Sequence, residues 1–108
     1  MAKLERTLSG NMNSWLDRIE KGILDGSVSA SLEETSDFRS GTARCAVRVF
    51  ERYSYAGGNR VSMSVTLYQA GSTIRLCAIT SGGSQAMFFK MNTWGEETFL
   101  QTLEDILP

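Results

Sequence analysis

The sequence contains no histidine, only two cysteines and no long apolar run. Histidine is the commonest general base, the commonest metal ligand and the usual partner of a serine or cysteine nucleophile. Its absence disfavours most acid–base, metal-assisted and nucleophilic catalysis. Cys45 and Cys77 lie far apart without metal-site spacing, so we interpret them as small apolar residues of a reducing compartment.

No stretch approaches the roughly 20 apolar residues of a transmembrane helix. The polar residues 1–10 lack the apolar segment of a signal peptide. We therefore expect no membrane association and a cytoplasmic location, and nothing in the sequence indicates a cofactor. With 108 residues, 42% hydrophobic and 21% charged, the chain has the composition of one globular domain spanning residues 1–108.

Apolar residues recur at helical spacing early in the chain, at Met12, Trp15, Leu16, Ile19 and Ile23. Asn11 or Asn13 can cap this predicted helix. Gly22 and Gly26 mark its end, and Gly22 suits the left-handed position just past a helix. Residues 2–9 are compatible with a short edge strand before it.

The middle of the chain reads as strands separated by turns. We predict strands over 28–32, Thr42–Ser54, Asn59–Gln69, Thr73–Thr80 and Gln85–Asn92, with a loop over Glu33–Gly41. Alternating apolar and polar residues indicate the strands. Three turns at hairpin spacing indicate an antiparallel meander: Gly57–Asn59, Ala70–Ser72 and Ser81–Ser84. In Thr42–Ser54 we predict that the odd-numbered residues form the apolar face.

A second helix closes the chain. Thr93 and Glu96 fit a capping box, and Phe99, Leu100, Leu103, Ile106 and Leu107 follow as an apolar stripe. The predicted fold is α+β, in the order strand, helix, five strands, helix. It is a curved antiparallel meander sheet with both helices packed on one face.

Charge is segregated along the chain. Residues 38–95 hold seven basic residues and one acidic residue, a net charge of +6, whereas residues 1–37 carry −3 and residues 96–108 carry −4. Successive arginines at 44, 48 and 52 share one strand face about 13 Å apart. With the aromatic residues near them they form a candidate ligand-binding face: Arg44, Arg48, Phe50, Arg52, Tyr68 and Arg75. The alternative is a solvated sheet face whose arginines cover apolar surface and pair with acidic residues of a partner or neighbour.

Other features are weaker candidates for a pocket. Glu51 lies on the predicted apolar parity, where burial would raise its pKa; the alternative is a pair with a nearby arginine. Tyr53 and Tyr55 could line a pocket mouth, or serve only as strand residues. The run Ser81, Gly82, Gly83, Ser84 and Gln85 could form an anion-binding nest, or simply a hairpin turn.

Three stretches carry a family resemblance: Cys45–Tyr55, Gly57–Ser62 and Ala78–Ala86. Together with the closing residues 89–107, they resemble a family of short bacterial proteins known only as a domain of unknown function. The resemblance implies a bacterial cytoplasmic protein and supplies no site residues. The order of elements is also similar to TATA-binding-protein-like and helix-grip folds, which host unrelated functions.

Three hypotheses follow for the function. The first is a non-catalytic binding module that engages a small ligand, for example an anion, or a protein partner through the sheet. The second is a structural protein that assembles as a homodimer, and the third is an enzyme with a pocket near Glu51. Nucleic acid is disfavoured as a partner, because a formal net charge of −1 gives no long-range attraction to phosphates.

Overall fold

The computed structural model describes residues 1–54, 59–82 and 89–108. Its elements in chain order are β1 (Ala2–Leu8), α1 (Met12–Asp25), β2 (Ser31–Ser40), β3 (Ala43–Ser54), β4 (Asn59–Ala70), β5 (Thr73–Gly82) and α2 (Phe89–Glu104). The strands form one antiparallel sheet in the order β1-β5-β4-β3-β2. The predicted α+β class is confirmed, although the described residues contain one strand fewer than predicted.

Helix α1 begins where the sequence indicated and ends later. The Asn11 side chain caps it by accepting a hydrogen bond of 3.0 Å from the Ser14 N–H. The prediction that Gly22 ends the helix is wrong, since the helix continues to Asp25 and Gly26 caps it with φ −76°. Gly22 is needed for a close approach instead: a Cβ there would lie 2.4 Å from the Ile106 Cδ1.

Strand β2 occupies the segment for which a loop was predicted. It covers Ser31–Ser40 and pairs with β3, whereas Val28 lies outside any strand and is fully exposed. The loop prediction failed because β2 is an edge strand whose exposed side chains carry no apolar alternation. A register shift between Leu32 and Glu34 marks a β-bulge, with Glu33 as the extra residue.

Helix α2 begins at Phe89, four residues before the predicted capping box. Residues 89–92 are therefore helical and not part of a strand, and residues 85–88 lie outside the described segments. Thr93 cannot be the N-cap, because it follows a full helical turn. A short apolar run bounded by turn residues fits a strand or a buried helix equally well, which is why the pattern misled.

The turns of the meander have mixed outcomes. The turn at Gly71 is confirmed, with φ 66°. Gly57 and Gly58 lie outside the described residues. The predicted turn at Ser81 and Gly82 is wrong, since both residues belong to β5, where Ser81 pairs with Ser62 and Gly82 with Val61.

One face of the sheet, the helix face, carries both helices and the core. Its strands bury Leu4, Leu8, Ala46, Phe50, Val61, Met63, Val65, Leu67, Ile74, Leu76 and Ala78. The helices bury Met12, Trp15, Leu16, Ile19, Ile23, Phe99 and Leu103 against them. The apolar side of the sheet and the apolar stripes of the two helices thus bury each other in a two-layer structure.

The predicted parity of β3 is wrong. Phe50 pairs with Met63 and Ala46 with Leu67, so the even-numbered residues of β3 face the helices. The odd-numbered residues lie on the opposite side of the sheet. Counting apolar residues misled because Arg44, Arg48 and Arg52 share the helix face with Phe50, as their long side chains reach the margin of the core.

Candidate binding face

Arg44 joins β3 to β2 and to α1 on the helix face. Its guanidinium donates two hydrogen bonds to the Asp37 carboxylate, at 2.9 and 2.8 Å, and a third of 2.6 Å to the Asn13 Oδ1. The bond from Arg44 lowers the pKa of Asp37, and the same bond raises the pKa of Arg44. This guanidinium is therefore committed to contacts within the chain.

Arg48 and Arg52 are also used internally. Arg48 Nε donates to the Glu20 carboxylate at 3.1 Å, and its Nη2 lies 3.7 Å from Asp37. Arg52 lies over the Phe99 ring, 4.7 Å from its centre, and donates to the hydroxyls of Thr98 and Thr102 on α2. Burial lowers the pKa of Arg52.

The six residues proposed for a ligand-binding face do not share a face. Phe50 is fully buried, and Arg44, Arg48 and Arg52 fasten the helices to the sheet. Tyr68 and Arg75 are cross-strand partners on the opposite side of the sheet. The arginines of β3 therefore form structural contacts in the described part of the molecule.

The other side of the sheet, which we call the open face, carries neither helix. Strand pairing arranges its central side chains in three rows: Phe38, Cys45, Tyr68, Arg75 and Thr7; Ser36, Val47, Thr66, Cys77 and Glu5; and Glu34, Val49, Ser64, Ile79 and Lys3. Large apolar groups are exposed here, with Phe38 at 59%, Tyr68 at 46% and Ile79 at 39%. Such a surface is typical of an interaction site.

A shallow groove of about 200 Å³ lies at one end of the open face. Phe38, Cys45 and Tyr68 line it together with Ser40, Ala43 and Arg44. The volume is below the roughly 300 Å³ at which small-molecule pockets begin. The groove fits a protruding side chain of a partner better than it fits an enclosed ligand.

Charged residues surround the centre of the open face. Lys3 pairs with Glu5 at 3.3 Å and Arg60 with Glu51 at 2.9 Å. Glu51 is thus the surface partner of an arginine, and its side chain is 32% exposed. The row from Ser36 to Cys77 contains no charge. An uncharged centre with a charged margin is a common organisation of a protein interface.

Two charged side chains in the three rows above have no ionic partner among the described residues. Glu33, the bulge residue, also has no ion pair there, and its carboxylate accepts from the Ser31 hydroxyl at the margin of the face. Arg75 is exposed, and no hydrogen bond or ion pair engages it in that part of the chain. The Glu34 carboxylate accepts only the Thr35 backbone N–H, at 2.9 Å. Arg75 on β5 and Glu34 on β2 lie diagonally across the face from each other.

The model of the family DUF6054, a family of unknown function, matches residues 1–108. The chain belongs to this family. Comparison with curated proteins gives no match. DUF6054 membership confirms the predicted resemblance to a family known only as a domain of unknown function.

The pocket and turn candidates of this DUF6054 chain do not converge on one site. Tyr53 is 39% exposed, and its backbone N–H donates to the Ser29 Oγ at 3.1 Å. Ser81 and Gly82 belong to β5. Tyr55, Gly83, Ser84 and Gln85 lie outside the described residues. No cluster of three metal-ligating side chains occurs within residues 1–54, 59–82 and 89–108.

Both cysteines lie on the open face, half-buried and in the reduced state. Cys45 is on β3 and Cys77 on β5, one row apart with β4 between them. Their Cα atoms are therefore separated by about 12 Å, too far for a disulfide. The chemical reactivity of the two thiols therefore indicates whether a partner covers this face.

Sequence reasoning missed most of the open face, namely Phe38, Cys45, Val47, Val49, Cys77 and Ile79. A signal was present: β3 has apolar residues at both parities, so one set had to lie away from the helices. The acidic partners of its arginines, Asp37 and Glu20, stood in segments whose relation to β3 depends on tertiary structure. None of the helices in the described segments is long and apolar enough to cross a membrane.

Proposed function

We propose that this protein is a non-catalytic binding module of the bacterial cytoplasm that engages a protein partner through the open face of its sheet. The observation that carries the proposal is the exposure of Phe38, Tyr68 and Ile79 around an uncharged centre. A cytoplasmic location agrees with two thiols that cannot bridge each other.

The alternatives have less support. An anionic small ligand would need several free guanidinium groups close together, but Arg44 and Arg48 already bind Asp37 and Glu20. That leaves Arg75 on its own on the open face. An enzyme using Glu51 would need that carboxylate inside a cleft, whereas it pairs with Arg60 on a sheet surface. A protein partner with a flat surface fits the exposed apolar groups, because its binding would bury these groups and remove them from water.

The test measures whether the open face is covered in the cell. Intact cells and dilute purified protein are treated with a membrane-permeant alkylating reagent, and modification of Cys45 and Cys77 is followed by mass spectrometry. A covered face makes both thiols react several-fold more slowly in cells than in dilute solution. Equal rates in the two samples would contradict the proposal.

A matched control separates covering from differences in reagent concentration. Asp17 is exposed on α1, on the far side of the molecule from the open face. A cysteine introduced by Asp17→Cys should react at the same relative rate in both samples. Protection of Cys45 and Cys77 but not of this position supports a partner on the open face.

A further inference from the structure

The open face has the size of a small specific interface. Five strands about 4.8 Å apart and four rows of side chains about 6.7 Å apart give roughly 650 Å² in projection. Specific interfaces bury roughly 600–1,000 Å² on each partner. The whole face therefore has to be covered, which requires a partner with an equally broad and flat surface.

The positions of Arg75 and Glu34 indicate which partner that is. Arg75 lies on β5 in the row of Tyr68, and Glu34 lies on β2 in the row of Val49. They are separated by three strands and two rows, or about 20 Å. The midpoint between them falls on the cross-strand pair Val47 and Thr66, at the centre of the face.

We propose that the partner is a second copy of this chain, packed face to face about a two-fold axis that lies in the interface and passes by Val47 and Thr66. An axis perpendicular to the line from Arg75 to Glu34 places each Arg75 opposite the Glu34 of the other copy. Arg75 and Glu34 of both copies are then neutralised. This inference rests on the proposed function of the open face.

The same axis also matches the apolar groups. Across the strands and rows of the open face, the axis runs diagonally from Phe38 through the Val47–Thr66 pair to Ile79. Two of the most exposed apolar side chains of the face, Phe38 and Ile79, therefore each meet their own copy. The strands of the two sheets cross at about 90°, which is one of the two packing angles that stacked sheets adopt.

Charge reversal tests the inference. Arg75→Glu and Glu34→Arg should each weaken the dimer about tenfold, because two-fold symmetry replaces two ion pairs by two repulsions. The double variant R75E/E34R should restore the affinity. Since the two residues are about 20 Å apart within one copy, the rescue can arise only between copies. Dissociation constants are measured by analytical ultracentrifugation at low salt.

Control variants keep the outcome interpretable. Lys21→Glu makes the same charge change on the exposed side of α1 and should leave the affinity unchanged. Circular dichroism establishes that each variant is folded. Cys45 and Cys77 of the purified protein should also become protected from alkylation as the protein concentration rises through the dissociation constant.

Each contrary result overturns the inference in a recognisable way. A protein that stays monomeric at all concentrations overturns the second copy as partner, while protection of the thiols in cells would still support the proposed function. A dimer that is insensitive to the reversals, or that the double variant does not rescue, overturns the Arg75–Glu34 geometry. Unprotected thiols in cells together with a monomer overturn both proposals.

Discussion

At the scale of single residues, Asp37 connects the edge strand β2 to the arginines of β3. Its carboxylate accepts two hydrogen bonds from Arg44 and lies 3.7 Å from Arg48. Arg48 in turn binds Glu20 on α1. The exposed edge strand is thus connected to the helix layer through ionic contacts, since its own side chains supply little apolar burial.

Replacing Asp37 by Asn should lower the free energy of unfolding at pH 7 by about 1 kcal/mol, a modest loss because water screens this partly exposed pair. Hydrogen bonding from Arg44 places the folded-state pKa of Asp37 below its ordinary value of 3.8. The stabilisation is therefore present above pH 3.8 and is lost as the pH falls through the folded-state pKa.

Urea unfolding from pH 2 to 7, followed by the fluorescence of Trp15, measures this effect. The difference between the original protein and Asp37→Asn should shrink towards zero in acid. Asp17→Asn, which changes an exposed carboxylate on α1, serves as the control and should show no such difference. A gap between the two proteins that is constant over the whole pH range would contradict the role given to Asp37.

The arginines of β3 also show why residue parity could not be predicted. Val47, Val49 and Cys45 made the odd-numbered side look like the core face. Phe50 and Ala46 decide the matter instead, because they pair with Met63 and Leu67 beneath the helices. The sequence shows which residues alternate along a strand. Which side of that strand meets the helices depends on the apolar residues of all the neighbouring strands together.

At the scale of elements, the two helices meet where Gly22 faces Ile106. A Cβ at Gly22 would lie 2.4 Å from Cδ1 and 2.7 Å from Cγ1 of Ile106, closer than any unstrained contact. The glycine allows the segment after α2 to approach α1. Its helical conformation by itself would favour alanine by about 1 kcal/mol.

Gly22→Ala should therefore destabilise the protein by about 1–2 kcal/mol, because the clash with Ile106 outweighs the gain in helix propensity. In an Ile106→Ala background the clash is absent, and the same substitution should stabilise the protein by about 1 kcal/mol. Urea unfolding of the four proteins of this double-mutant cycle measures both values. The same sign in both backgrounds would contradict the contact.

The elements that could be predicted are those whose local pattern suffices. Helix α1 was located from its apolar spacing, and β3, β4 and β5 from alternation and turn residues. Strand β2 was taken for a loop because an edge strand held by backbone pairing and ion pairs needs no apolar pattern. The start of α2 was misplaced because a short apolar run does not separate helix from strand.

At the scale of the whole molecule, the sheet has two sides with different roles. The helix face holds the fully buried Val65, whereas the half-buried Val47 lies at the centre of the open face. The open face could not be predicted from the sequence, since it is defined by strand order and by which side the helices cover. A mutation on the helix face should therefore change the stability of the single chain, whereas a mutation on the open face should change its association.

Val65→Glu buries an uncompensated charge in the core and should cost about 4 kcal/mol or more, enough to unfold most of the protein. Val47→Glu should cost the isolated chain only about 1 kcal/mol, since its side chain borders solvent. On the proposed two-fold axis, however, it places two carboxylates against each other. The melting temperature of the original protein should rise with concentration, because association stabilises the folded state.

Scanning calorimetry at different protein concentrations distinguishes the helix face from the open face. A hundredfold range of concentration changes the free energy available from association by an amount on the order of 2.7 kcal/mol. Val47→Glu should melt at one temperature throughout, close to that of the dilute original protein. Lys21→Glu, an exposed change on α1 and so away from the open face, should keep the concentration dependence. A Val47→Glu protein whose melting temperature still rises with concentration would place the association on a surface other than the open face.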